Sequence, residues 1–320
     1  MNPMALWCTS AHSAELREGL MGNGVLVETL FSGISRGTER LVFEGRVPKS
    51  EASSMRAPSQ EGEFSFPVKF GYSAVGRVLE GELAGKKVFA LHPHQTQFRL
   101  PAELLSPIPE SVPAERAVLA ANMETALNIV WDSGVSAGDR VAVIGAGVVG
   151  SLVGFLIAQM PGTEVTLVDT NLEREQISAE LGCLFAEPVN TPNNCDVVIH
   201  TSASEAGVSL AIESAAQEAR LVEASWYGDK PIQISLGGQF HSKRLKLISS
   251  QVGSVPSERV ARWSKQRRIR KALELLENPV VDVLISGETD FLDIANNYGS
   301  VLADKNTLCH RIRYQGLGES

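Results

Sequence analysis

The sequence predicts an α/β protein built from a β-rich N-terminal domain and a doubly wound parallel sheet. Three observations carry that prediction. Residues 1 to about 110 hold short apolar runs separated by Gly- and Pro-bearing turns. Residues 141–169 read as strand, glycine turn, helix and strand. Beyond Asp169 strand-like and helix-like segments alternate as far as Ser249, the pattern of a parallel sheet covered on both faces.

In the first part, the runs 24–30, 74–79, 87–91 and 96–100 predict strands of a small barrel-like domain, and no periodic segment of helix length is evident. Residues 44–67 are polar, rich in Ser, Pro and Glu, and aperiodic, which predicts a mobile loop that could act as a lid. From Pro113 the apolar positions Ala117, Leu119, Ala120, Met123, Leu127 and Val130 take helical spacing. The turn Ser136-Ala137-Gly138-Asp139 then leads into the strand at 141. Helices are expected at 172–181 and 206–216, and strands at 196–200, 220–224 and 245–249. A helix at 259–276, a strand at 281–285, a helix at 291–302 and a strand at 309–314 should return to the first domain. The expected domains are therefore 1–122, 123–252 and a return segment, 253–320. Residues 230–236 (KPIQISL) alternate like an exposed edge strand, and an exposed edge invites pairing with its copy, so a homodimer is expected.

The stretch 141–169 implies a particular ligand. The apolar run Val141-Ala142-Val143-Ile144 enters Gly145-Ala146-Gly147-Val148-Val149-Gly150, a helical stretch follows, and a second strand closes on Asp169, 19 residues after Gly150. Gly145 allows the tight turn, Gly147 lets backbone approach a pyrophosphate, and Gly150 lets helix and sheet pack closely. Val148 and Val149 open the helix, whose free N–H groups and dipole favour the phosphates. Asp169 accepts from the adenosine ribose hydroxyls and repels a 2′-phosphate, so NAD(H) is expected over NADP(H). Residues 141–158 carry no charge, which is long enough for a membrane span. The glycines at 145, 147, 150 and 154 break that run into strand, turn and helix, and no membrane partner is expected.

Composition narrows the classes further. With 43% hydrophobic and 21% charged residues among 320, the chain is long enough for two sizeable cores. A net charge of -8 argues against nucleic acid as the main partner, and the basic run at 259–271 reads as a solvated helix face. Cysteines at 8, 183, 195 and 309 form no CxxC pair, and no secretory signal opens the chain, so a reducing cytoplasm is expected.

Three further landmarks precede the fingerprint: Ser32-Gly33-Ile34-Ser35-Arg36-Gly37-Thr38-Glu39, Gly71-Tyr72-Ser73-Ala74-Val75-Gly76 and Gly85-Lys86-Lys87-Val88-Phe89. With these, nearly the whole chain resembles the medium-chain dehydrogenase/reductase superfamily, the alcohol-dehydrogenase-like enzymes. The resemblance implies a GroES-like catalytic domain joined to a Rossmann domain. Where the zinc-dependent branch has a cysteine this chain has Ser35, and where that branch reads Gly-His-Glu it has Gly71-Tyr72-Ser73. The third zinc ligand would fall near Ala121 or Asn122, and the four-cysteine lobe is missing, so no metal is expected. The first landmark is most similar to that of the zinc-free bacteriochlorophyllide dehydrogenase branch.

The resemblance also points to site residues. His92 holds a position that lines the substrate pocket, and His94 lies two residues on; either is a proton shuttle or a packing residue. Tyr72 replaces a zinc ligand and either hydrogen-bonds a carbonyl oxygen or fills the vacated volume. Glu39 and Glu124 are acids close to active-site positions, Glu39 with the stronger structural reading. Thr125 corresponds to a residue beneath the nicotinamide. Arg36 matches one that reaches the pyrophosphate, or it is simply solvated. Ser225, between Ala224 and Trp226, ends a late strand at the carboxyl edge of the sheet, where ligands bind in this architecture.

The missing metal constrains the chemistry. Zinc lowers a bound hydroxyl from about 16 towards about 7, worth at most roughly 12 kcal/mol. A positioned acid or base supplies ~3 to 5 kcal/mol. Side chains alone do not make up the difference for an unactivated alcohol. An activated alcohol or a conjugated carbonyl is therefore the expected small-molecule substrate of an NAD(H)-dependent oxidoreductase. Two alternatives stay open: a non-catalytic nucleotide-binding or redox-sensing protein, and a zinc alcohol dehydrogenase with ligands relocated to His92, His94 and a carboxylate.

Overall fold

The computed structural model describes residues 2–314. β1 (Met4–Ser10) and β2 (Ser13–Glu18) form an antiparallel hairpin, and β3 (Val25–Ser35) runs directly into α1 (Arg36–Phe43). That helix is a departure from the expected strands and turns. Its 8 residues make about two turns, too few for a helical period to show, and Glu39, Leu41, Val42 and Phe43 form its buried face.

Next come β4 (Glu61–Gly62), β5 (Val68–Lys69), β6 (Ala74–Val78), β7 (Lys87–Ala90), β8 (Gln97–Leu100), β9 (Ser106–Pro107) and α2 (Ala114–Ala117). The segment 44–67 is not the open loop its composition suggests. It carries a 3-10 turn at Lys49–Glu51, β4 pairs with β5, and Val47, Ala52, Met55 and Ala57 pack on the apolar core.

α3 (Ala120–Ser133) leads to the second layer system. β10 (Arg140–Ile144), α4 (Val148–Ala158), β11 (Glu164–Val168), α5 (Arg174–Glu180), β12 (Leu184–Ala186), β13 (Cys195–His200), α6 (Glu205–Ser214), β14 (Ala215–Glu223) and β15 (Lys246–Ser249) follow in turn. The six strands are parallel throughout, in the order β12-β11-β10-β13-β14-β15. This is the doubly wound order, with its switch point at β10, where the chain turns back between two halves.

Residues 230–236 are not a strand. Pro231 has no N–H to give to a ladder, Gln233 N–H goes to the Glu205 carboxylate, and Ile234 packs on the core of the sheet. β15 is the outer strand instead. The expected helix at 259–276 is also shorter: α7 (Lys265–Leu275) begins after turns in which Arg259 and Val260 N–H groups bond Pro256 O. Trp263 and Arg259 close those turns on the Trp131 ring, at 4.8 Å in each case.

The return comprises β16 (Ile285–Asp290), α8 (Phe291–Ala303) and β17 (Cys309–Arg313). Residues 281–284, most of the strand expected at 281–285, belong instead to a 3-10 turn, Pro279–Leu284, started by Pro279 and capped by the Asn278 side chain. β17 pairs antiparallel with β3 over Cys309–Arg313 and so joins the first sheet, order β16-β17-β3-β6-β7-β9 with β8 on β3. Among the described residues two compact units result: 2–121 with 266–314, and 122–265. The return thus starts at Gln266 rather than 253. Residues 315–320 of the predicted return segment lie outside the described residues. Among the described residues no helix is long and apolar enough to cross a membrane.

Candidate active site

In the second unit, the fingerprint turn has the geometry its glycines require. Gly145 adopts φ +107°, and a Cβ on Gly150 would overlap the Gly145 carbonyl oxygen. A Cβ at Gly147 would meet only open space, so a ligand can approach that backbone. Gly147 caps α4 without a side-chain bond, and Val148 and Val149 open its first turn, whose N–H groups have no partner within the helix.

Asp169 follows β11, half-buried, and is fixed from two sides. One oxygen accepts from Ala146 N–H at 2.8 Å and the other from Asn171 N–H at 2.9 Å. A carboxylate oxygen has a second lone pair, so both remain available to a ribose hydroxyl. The residues present fit a dinucleotide: a tight turn, an open backbone approach, a helix N-terminus and an oriented acid at the end of the second strand. Thr125 lies half-buried on α3. Ser225 is already engaged, its hydroxyl accepting from Ala203 N–H at 3.1 Å and its own N–H donating to Glu223 at 2.8 Å.

In the first unit, His92 and His94 are both buried. His92 is 3% exposed, stacks on Phe98 with ring centroids 4.0 Å apart, and bonds Pro93 O through Nδ1 at 2.9 Å. Burial, with the Lys69 charge beside it, pushes its pKa down to about 3. Burial, the stack on Phe98 and the bond to Pro93 O favour the packing alternative for His92.

His94 is enclosed in a hydrogen-bonded network. Nδ1 meets Ser32 Oγ at 2.8 Å and Nε2 meets Glu39 Oε2 at 2.9 Å. Ser32 continues to the Tyr314 hydroxyl at 2.9 Å, and Glu39 also accepts from Tyr298 at 2.8 Å and from Ser35 N–H at 2.7 Å. Gly71 leaves room for the imidazole, since a Cβ there would come within 2.9 Å of it. The Glu39 charge is felt across this core. Burial first, and then that charge, push the Cys309 thiol and the Tyr72 hydroxyl each up to about 12. Tyr72 is half-buried, hydrogen-bonded to the Ser35 and Thr38 side chains, and edge-on to Phe70 at 6.0 Å. Arg36 donates from Nε to Leu302 O at 3.0 Å, which ties α1 to α8.

These positions do not fit zinc. Tyr72 and Ser35 bond one another, Ser73 donates to Val118 O at 2.5 Å, and His94 Nε2 is held by Glu39. Among the described residues no group of three or more His, Cys, Asp or Glu could hold a metal ion. The relocated set of His92, His94 and a carboxylate is therefore not assembled.

The sequence reading missed His200 and Glu223. Their signal was a polar residue closing each of two apolar runs, Asp196-Val197-Val198-Ile199-His200 and Arg220-Leu221-Val222-Glu223.

No family model matches the sequence. A curated relative, (R,R)-butanediol dehydrogenase of Bacillus subtilis, is 28% identical over 181 residues, covering 46% of this chain and 51% of its own. The chain thus spans about half the length of the curated relatives it matches. Among solved structures, L-idonate 5-dehydrogenase from Escherichia coli superposes with TM-score 0.79 at 15% identity, covering 98% of this chain and 99% of that one. A short chain alcohol dehydrogenase of E. coli CFT073, complexed with NADH, gives 0.77 at 16%, with 98% and 99% covered. The relatives and neighbours are alcohol-dehydrogenase-like dehydrogenases, zinc-binding ones among them. The chain has the fold of these medium-chain dehydrogenases: a β-rich unit and a Rossmann-type parallel sheet.

Proposed function

We propose that this protein is an NAD(H)-dependent oxidoreductase that interconverts an activated alcohol and its conjugated carbonyl without catalytic zinc. The observation that carries the reading is Asp169 at the end of β11, held by Ala146 N–H and Asn171 N–H beside the fingerprint turn. The dehydrogenase relatives support hydride transfer as the reaction class.

When bound, the nicotinamide cofactor supplies or accepts the hydride. The chain's own residues bind, orient and polarise. Tyr72 keeps its proton at all physiological pH values because burial and the Glu39 charge hold it high. It therefore acts as a hydrogen-bond donor to the reacting oxygen, and Ser35 and Thr38 set its direction. On reduction Tyr72 would pass its proton to the oxygen that gains charge, with solvent restoring it, and oxidation of the alcohol would run through the same states in reverse. The likeness of Ser32–Glu39 to the bacteriochlorophyllide dehydrogenase motif fits a bulky conjugated substrate. The protein acts in the cytoplasm as a homodimer.

A panel of conjugated ketones, enones and allylic or benzylic alcohols, followed through nicotinamide absorbance, tests the reading. NADH oxidation by a conjugated carbonyl is expected, with Tyr72→Phe losing about tenfold to a hundredfold in kcat. Tight NADH binding without turnover of any member would instead support a redox-sensing protein.

A further inference from the structure

β13 and β14 end side by side at the carboxyl edge of the parallel sheet on His200 and Glu223, which are register partners. His200 Nδ1 lies 2.8 Å from Glu223 Oε2, and its Nε2 lies 2.6 Å from Ser202 Oγ. Glu223 also accepts from the Tyr227 hydroxyl at 3.0 Å and from Ser225 N–H at 2.8 Å. Burial alone would raise the Glu223 carboxyl; the hydrogen bonds from His200 and Ser225 overcome that and hold it below the usual range. His200 is 2% exposed, Glu223 is half-buried and Ser202 is exposed. The network therefore runs outward, from a carboxylate through an imidazole to a surface hydroxyl.

The direction of each bond follows from the carboxylate. It accepts the Nδ1 proton, which leaves Nε2 as an acceptor for the Ser202 O–H. Ser202 Oγ is also 2.8 Å from Ser204 Oγ, itself the cap of α6 that accepts from Gly207 N–H at 3.0 Å. With its proton given to His200 and one lone pair facing Ser204, Ser202 retains one lone pair for a hydroxyl donor.

The turn that presents Ser202 is built. Ala203 adopts φ +51°, a left-handed conformation that a non-glycine residue adopts at a cost, and Ser225 Oγ holds its N–H. The same turn lies against the fingerprint. Thr201 Oγ1 donates to Gly145 O at 2.8 Å, and a Cβ on Gly145 would come within 2.8 Å of Ser202 N. A carboxylate–imidazole pair is costly to bury, and an apolar pair of the same size would be neutral or stabilising there. The pair's evident product is an oriented hydroxyl beside the dinucleotide turn, on the β13-β14-β15 side that takes the second mononucleotide.

We infer that Ser202 hydrogen-bonds the ribose of the cofactor's second nucleotide, and that His200 and Glu223 are positioning residues for it. The inference rests on the dinucleotide reading above. Calorimetric titration of the full chain with NADH and with ADP, which lacks the second nucleoside, separates the two. Ser202→Ala should weaken NADH about tenfold and leave ADP within about twofold. Ser202→Thr, which keeps the hydroxyl, should restore most of the affinity. Glu223→Gln, which no longer enforces the Nδ1 proton, should weaken NADH several-fold, again with ADP level. Unchanged NADH affinity in Ser202→Ala, equal losses for NADH and ADP, or covalent labelling of Ser202 by a fluorophosphonate would overturn the assignment. A wild-type chain that binds neither nucleotide would overturn the dinucleotide reading itself.

Discussion

The Glu39 carboxylate lies 2.9 Å from His94 Nε2, with both side chains fully buried. One acid on α1 thereby joins the chain after β7, α8 through Tyr298 and the end of β3 through Ser35 N–H. Glu39→Ala would leave three groups without their partner in a site closed to water. A loss of about 3–5 kcal/mol is expected in urea unfolding. Glu39→Gln keeps the shape and one acceptor and should cost less, about 1–3 kcal/mol. A loss under about 1 kcal/mol for Glu39→Ala would show that the pair does not hold this core.

His92 makes the fold sensitive to acid. Its folded pKa, about 3, lies below the unfolded value of 6.5, so the unfolded chain takes up the proton first. The contribution is complete above about 6.5 and is lost progressively as pH falls towards 3, with an upper bound of roughly 4–5 kcal/mol. Denaturation midpoints between those limits should fall more steeply for the wild type than for His92→Leu. Parallel slopes would mean that His92 titrates normally in the folded protein.

The proposed zinc independence rests on Ser35, Tyr72 and Ser73, whose side chains bond one another or backbone. Elemental analysis should find less than one zinc per chain, and a chelator should leave the melting temperature unchanged. One tightly held zinc per chain would require a ligand set other than these positions.

The proposed dimer would pair through the strand that actually forms the sheet edge. β15 is the outer strand of the parallel sheet and Leu247 on it is 44% exposed, whereas 230–236 forms no strand. Light scattering at micromolar concentration should give a dimer, and Leu247→Lys should shift it towards monomer. A monomeric wild type would remove the proposal.

What could be read from the sequence was what is local in it. The fingerprint lies within 141–169, so strand, turn, helix and acid could be read together. α1 escaped notice because about two turns carry too little period, and 230–236 misled because Pro231 breaks an otherwise strand-like alternation. The surroundings of the histidines were not legible for a different reason. Whether His94 is exposed depends on Glu39, 55 residues away, and the environment of His92 on Phe98 and Lys69, so spacing alone could not show burial. His200 and Glu223 are 23 residues apart and become neighbours only once β13 and β14 pair.

Cofactor choice tests the central claim most directly, because it depends on Asp169 in the place where the fold holds it. Calorimetric titration of the wild type should show NADH binding more tightly than NADPH, since the carboxylate accepts from a ribose diol and repels a 2′-phosphate. In Asp169→Ala the preference should narrow or reverse. Equal or tighter binding of NADPH by the wild type would contradict the account.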